Sequence, residues 1–191
     1  MRVTFKFFGV LGGCATIAVS IGIAAHAYAQ ATADKYALKV PGGLAFAEFK
    51  GFEGWQAISV SQNDSLLAII LGNKIMIDAF QAGYPDNGKA FPDGAKMAKL
   101  HYHPKKSEKA PSPTTVPGAM DDIDFMVKDS KRFADSGGWG YAAFMYDSAT
   151  RTFRPAGLKD APPQANDAKC GAGCHTLVKN RDYVFTEYAA R

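Results

Sequence analysis

Trp139-Gly140-Tyr141-Ala142-Ala143-Phe144-Met145-Tyr146-Asp147 reads as a β-strand, an aromatic-rich run that follows Gly137-Gly138 and closes at Asp147. Gly54 to Ser61 and Ala95 to His103 read the same way, with β-branched or aromatic residues between Gly, Pro and Asp punctuation. Helical signals are fewer. Asn73 to Ala82 starts on a capping Asn and stops at Gly83, the layout of a short helix. Asp121 to Phe133 places Ile123, Met126 and Val127 on one helical face, with Asp124 and Lys128 on the other, and His175 to Ala189 is expected to form a C-terminal helix. Tyr84 to Gly94 and Ser107 to Gly118 are rich in Pro, Gly and polar residues and are expected as loops. The fold class implied is α+β, an antiparallel sheet with a few helices packed on it.

Near the C-terminus stands Cys170-Gly171-Ala172-Gly173-Cys174-His175. Two thiols followed at once by an imidazole are what covalent haem attachment requires: the sulfurs form thioethers to the vinyl groups and the histidine takes the iron. The usual c-type motif has two residues between the cysteines, whereas this one has three, and the small Gly171 and Gly173 give the longer loop its freedom. A disulfide is one alternative, but it would close a very short loop and leave His175 without a purpose. A zinc site is another, but it needs further ligands, and His101 and His103 lie far upstream. Electron-carrier cytochromes with a Met ligand place the motif near the start of the chain, and the cytochromes that carry it at the end are four-helix bundles. Neither layout fits strands upstream and only 16 residues after His175.

Residues 1–29 have the layout of a secretory signal: Arg2 and Lys6, an apolar run from Phe7 to Ala25, and Ala27-Tyr28-Ala29 as the cleavage site. Export to the periplasm agrees with c-type attachment, which bacteria carry out outside the cytoplasm. Leu11-Gly12-Gly13-Cys14 resembles a lipobox, but the apolar run continues well beyond Cys14, which disfavours a lipid anchor. The mature domain, 30–191, is long enough for one core. Loss of Arg2 and Lys6 lowers the formal charge from +4 to +2, and no basic run alternates with aromatics, so nucleic acid is not an expected partner.

Four segments together resemble the cytochrome P-460 family: Gly88 to Lys99 with its Phe91-Pro92-Asp93-Gly94, Phe125 to Ser130, Gly137-Gly138-Trp139-Gly140-Tyr141, and Cys170 to Val178. The resemblance covers most of the mature chain. It implies a periplasmic, sheet-rich, usually dimeric mono-haem protein whose best-known members oxidise hydroxylamine at a five-coordinate iron and pass electrons to a soluble cytochrome. In those members a lysine is joined to the haem ring. Lys99 is the first candidate for it here, on one strand face with Met97 and His101, while Lys96, Lys105 and Lys106 lie close by. Relatives of the cytochrome c′-beta type lack the lysine link and bind nitric oxide or carbon monoxide behind an apolar cap, so the alternative function is ligand binding without turnover.

The residues expected at the site are therefore Cys170, Cys174 and His175 for haem c, His175 for iron, and Lys99 for the ring. The hydroxylamine oxidisers also use a distal carboxylate, and the sequence offers no clear match: position 166 is Asn, followed by Asp167, and no arginine precedes Arg132 in the mature chain. Phe80, Phe91 and Met97 are expected in the core rather than as a cap. His101 and His103 are expected at a surface or pocket wall. Met76, Met97, Met126 and Met145 are potential sixth ligands, which would make the protein an electron carrier, although a Met in an apolar run is more often core filling.

Overall fold

A computed structural model describes residues 34–191. The expected signal segment, residues 1–29 with Cys14, lies outside the described residues. Strands β1 (Gln56–Gln62), β2 (Leu67–Gly72), β3 (Lys96–Lys106), β4 (Thr115–Lys128), β5 (Trp139–Asp147) and β6 (Thr152–Pro155) form one antiparallel sheet in sequence order. Helix α1 (Lys74–Gln81) connects β2 to β3, and a one-turn helix α2 (Ala172–His175) precedes a 3₁₀ stretch, Thr176–Arg181. The α+β expectation holds, and the strand read over Trp139 to Asp147 is β5 to the residue. No helix among the described residues is long and apolar enough to cross a membrane.

Period-two alternation gives the sheet two unlike faces. On one, Ala98, Ile123, Phe125, Val127, Ala142 and Phe144 pack under the short turns Phe46–Phe49 and Phe52–Gly54. Phe49 stacks on Phe125 at 4.1 Å, and Phe46 meets Phe125 and Phe144 at 5.1 and 4.9 Å. Each such burial contributes roughly 1.5–3 kcal/mol. The opposite face carries Met97, Met126, Trp139 and Tyr141 and is covered by α1 and the chain end through Val184.

Helix α1 follows its sequence signals. Asn73 Oδ1 accepts from Met76 N at 3.0 Å, and Gly83, just beyond the C-cap, takes the left-handed conformation (φ 86). The same Asn73 oxygen accepts from Lys96 N at 3.0 Å, so the cap also locks the helix start to the first residue of β3.

Three expectations are corrected. Residues 121–133 are not a helix: Asp121–Lys128 belong to β4, and a turn follows. Their polar residues looked like a wet helical face, but Asp122, Asp124 and Lys128 alternate with Ile123, Phe125 and Val127 and face the other side of the sheet. The segment from His175 to Ala189 is helical only as far as Arg181, because Asp182 and Tyr183 both adopt left-handed conformations (φ 47 and 64) that stop a right-handed helix. The C-terminal helix expected beside the haem is thus the single turn α2 followed by this 3₁₀ stretch. Residues Thr115–Gly118, expected in a loop, begin β4. Strand β2 gave no signal because it is nearly buried along its whole length and so shows no alternation.

Candidate functional site

A cleft of about 890 Å³, counting the open space at its mouth, lies between the sheet and the α2 segment. Met97 and Lys99 of β3, Asp124 and Met126 of β4 and Tyr141 of β5 form the sheet wall. Cys170, Cys174 and His175, with Val184 and Phe185, form the other. The structure therefore brings Lys99 and the Cys170-Cys174-His175 motif, distant in sequence, to one cavity.

Among the nearby lysines, alternation separates Lys99 from the rest. Lys96 points to the aromatic face, where its Nζ donates to the Glu48 carbonyl at 2.5 Å. Lys105 and Lys106 lie at the far end of β3, paired with Val116 and Thr115. Phe80 and Phe91 lie in the core without lining the cleft, whereas Met97 and Met126 line it. Met76 is fully buried in the same core, and Met145, further along β5, does not line the cleft. Asn166 and Asp167 do not line the cleft, and Arg132 is held outward by Glu48 at 2.6 Å.

The cysteine segment is shaped by a close approach. A Cβ on Gly171 would lie 2.6 Å from the Tyr141 ring, so only glycine lets this turn sit against β5. Gly173 has open space around it, so the loop's tolerance of its third spacer residue comes from Gly171 and from the turn of α2. Cys170 and Cys174 are free thiols, not joined to each other. Cys170 Sγ accepts from Ala165 N at 2.9 Å and donates to Pro163 O at 3.1 Å, while Cys174 is exposed.

His175 is wedged between the rings of Tyr141 (4.9 Å) and Phe185 (5.1 Å). Its Nδ1 lies 2.6 Å from the Tyr183 carbonyl oxygen. A carbonyl only accepts, so Nδ1 carries the proton and Nε2 presents its lone pair. Burial, with a smaller push from the Lys99 charge, lowers the histidine pKa against the opposing effect of the Tyr183 bond, and the ring is neutral at neutral pH. A neutral imidazole tied back through Nδ1 is the usual form of a metal-ligating histidine. Tyr141 carries a buried hydroxyl with no hydrogen-bond partner among the described residues, and burial raises its pKa strongly.

Asp124 is the site residue that sequence reasoning did not find. It pairs in register with Lys99 across β3 and β4, 25 residues away, so nothing local marks it. Burial first, and then the charge of Asp122, push its carboxyl up to about 7, against the pull of His101 and Lys99. One oxygen of each aspartate, Asp122 Oδ2 and Asp124 Oδ1, is buried without a partner. His101 Nδ1 contacts Asp122 Oδ1 and lies 3.8 Å from Asp124 Oδ2. The donors of these three residues lie within 4.8 Å of one another. Since the His101–Asp122 contact is a hydrogen bond, the arrangement suits a shared proton. His103 points elsewhere, exposed and 3.5 Å from Asp121.

Residues 49–186 match the family described as cytochrome P460, which is most of the chain, and the chain belongs to that family. No curated protein matches it. The family is one of c-type haem proteins and implies a haem cofactor. The residues present fit that group: two unpaired thiols and an imidazole with a fixed tautomer share one wall of a cleft that is otherwise largely apolar.

Proposed function

We propose that this member of the cytochrome P460 family oxidises hydroxylamine, or a related small nitrogen species, at a haem held in the cleft. The observation that carries the reading is the pairing of Lys99 with Asp124 on the wall opposite Cys170, Cys174 and His175. Cys170 and Cys174 would hold the porphyrin as thioethers, His175 Nε2 would take the iron, and Lys99 would be joined to the ring. Bound there, the haem supplies an open coordination position and one-electron oxidation. Asp124, with a proton affinity close to neutrality, accepts protons from the substrate. Burial and the neighbouring Asp122 charge favour the protonated form of that carboxyl, while His101 and Lys99 pull the other way. The proposal extends to export to the periplasm, a soluble cytochrome as electron acceptor and a homodimer.

The haem-loaded protein tests this directly. A ferrous Soret band far to the red of an ordinary c-type spectrum, lost in Lys99→Ala, together with hydroxylamine-dependent reduction of an added acceptor, is the expected result. An ordinary c-type spectrum with no turnover would overturn it. That outcome would favour nitric oxide or carbon monoxide binding, a reading supported by the apolar wall of Ile70, Met97, Met126, Val184 and Phe185.

A further inference from the structure

Phe91, Lys128 and Gly137, each within a segment that carries the family likeness, do not line the cleft; they gather instead around Asp182. Its Oδ2 accepts from Phe91 N at 2.7 Å, and its Oδ1 accepts from Lys128 Nζ at 2.7 Å. The lysine also donates to the Gly137 carbonyl at 2.9 Å and lies 5.1 Å from the centre of the Trp139 ring. Both charged side chains are almost wholly buried, at 6 and 11 % exposure. A buried pair of this kind is held by geometry and full hydrogen bonding rather than by net Coulomb gain, which suits it to fixing position.

What it fixes is the backbone. Asp182 and Tyr183 are consecutive left-handed residues, a conformation that a tyrosine adopts only when its surroundings impose it. The Tyr183 ring fills the space beside Gly137, where a Cβ would come within 2.2 Å of it. Immediately after the anchored carboxylate, the Tyr183 carbonyl receives the Nδ1 proton of His175 at 2.6 Å. The connection from Lys128 to the imidazole therefore runs through one ion pair, one backbone conformation and one hydrogen bond.

We propose that Lys128 and Asp182 are positioning residues for His175: by holding the Tyr183 carbonyl against Nδ1 they set the orientation and basicity of the imidazole, and hence the strength of its bond to the haem iron. This rests on the reading of His175 as the iron ligand. Outer partners of a ligating histidine typically change metal affinity or activity by roughly 10–100-fold when lost.

The test uses the haem-loaded full chain and the iron–histidine stretching band of the ferrous protein in resonance Raman spectra. Lys128→Met and Asp182→Asn are expected to lower the frequency of that band and to release His175 about 10–100-fold faster when nitric oxide binds, while Lys128→Arg restores much of both. If either single variant fails to fold, Lys128→Met/Asp182→Leu, which leaves no lone buried charge, is measured in its place. A variant that melts at lower temperature yet keeps the band and the release rate of the parent would overturn the proposal and leave the pair as a structural brace. A parent protein that binds haem without any iron–histidine band would instead overturn the assignment of His175, and the proposal with it.

Discussion

The two faces of the sheet are made by the same strands and do opposite work. On β4, Ile123, Phe125 and Val127 enter a core of stacked and edge-on rings, while on the alternate positions Asp122 meets His101, Asp124 enters the cleft wall and Lys128 enters an ion pair. One face minimises exposed apolar area and the other retains buried charge that gains nothing for folding. Buried carboxylates with unpartnered oxygens are costly in an ordinary core, so their presence on one face alone marks where folding stability has been given up for chemistry.

That contrast is open to direct attack. The largest effect is expected for Asp124→Asn, which removes the proposed proton acceptor while keeping the shape: the proposed hydroxylamine turnover should fall by about 10²–10⁴-fold with no loss of denaturant stability. A variant that turns over normally would place the acceptor elsewhere. On the opposite face, Phe125→Ala should cost roughly 3–5 kcal/mol in denaturant unfolding, because it empties the centre of the ring cluster. The surviving folded fraction should keep the haem spectrum of the parent.

Smaller effects sharpen the boundary between the faces. Gly171→Ala should reduce covalent haem yield, measured by absorbance per polypeptide and by mass, because the added Cβ drives the cysteine turn off the Tyr141 ring. The smallest is a pH trend. The carboxyl of Asp124 sits at about 7 in the folded chain and near its ordinary value when unfolded, so the native state binds the extra proton between those limits. Its contribution to stability is therefore present at low pH and is lost as pH rises toward and through 7, the reverse of a salt-bridged aspartate. Comparing unfolding free energies at pH 4.5 and 7.5 in the parent and in Asp124→Asn isolates it: the fall should be shallower in the variant.

Alternation and punctuation made much of the fold legible. The aromatic run of β5 and the Asn73-to-Gly83 layout of α1 announce themselves because strand edges and helix caps are local chemistry. The same logic misread residues 121–133, since Asp124 and Lys128 were taken for solvent-facing positions when they face the cleft and Asp182. Strand β2 escaped notice for the opposite reason, being apolar on both sides. At the site, the Cys170-to-His175 motif was readable because its three reactive groups are adjacent in the chain. Lys99 was the first candidate among several lysines, on the strand face of Met97 and His101, and the register of β3 puts that face on the cleft.

The chain alone thus specified the pair of thiols beside an imidazole and the period of many of the surrounding elements, for these depend on neighbours a few positions away. Which carboxylate meets Lys99, which lysine turns inward and which carbonyl orients His175 were settled by strand register and by contacts between segments as distant as Lys128 and Asp182. Register reflects the energy of the whole sheet, and a slip of one residue would exchange the two faces, so no local window of sequence contains it.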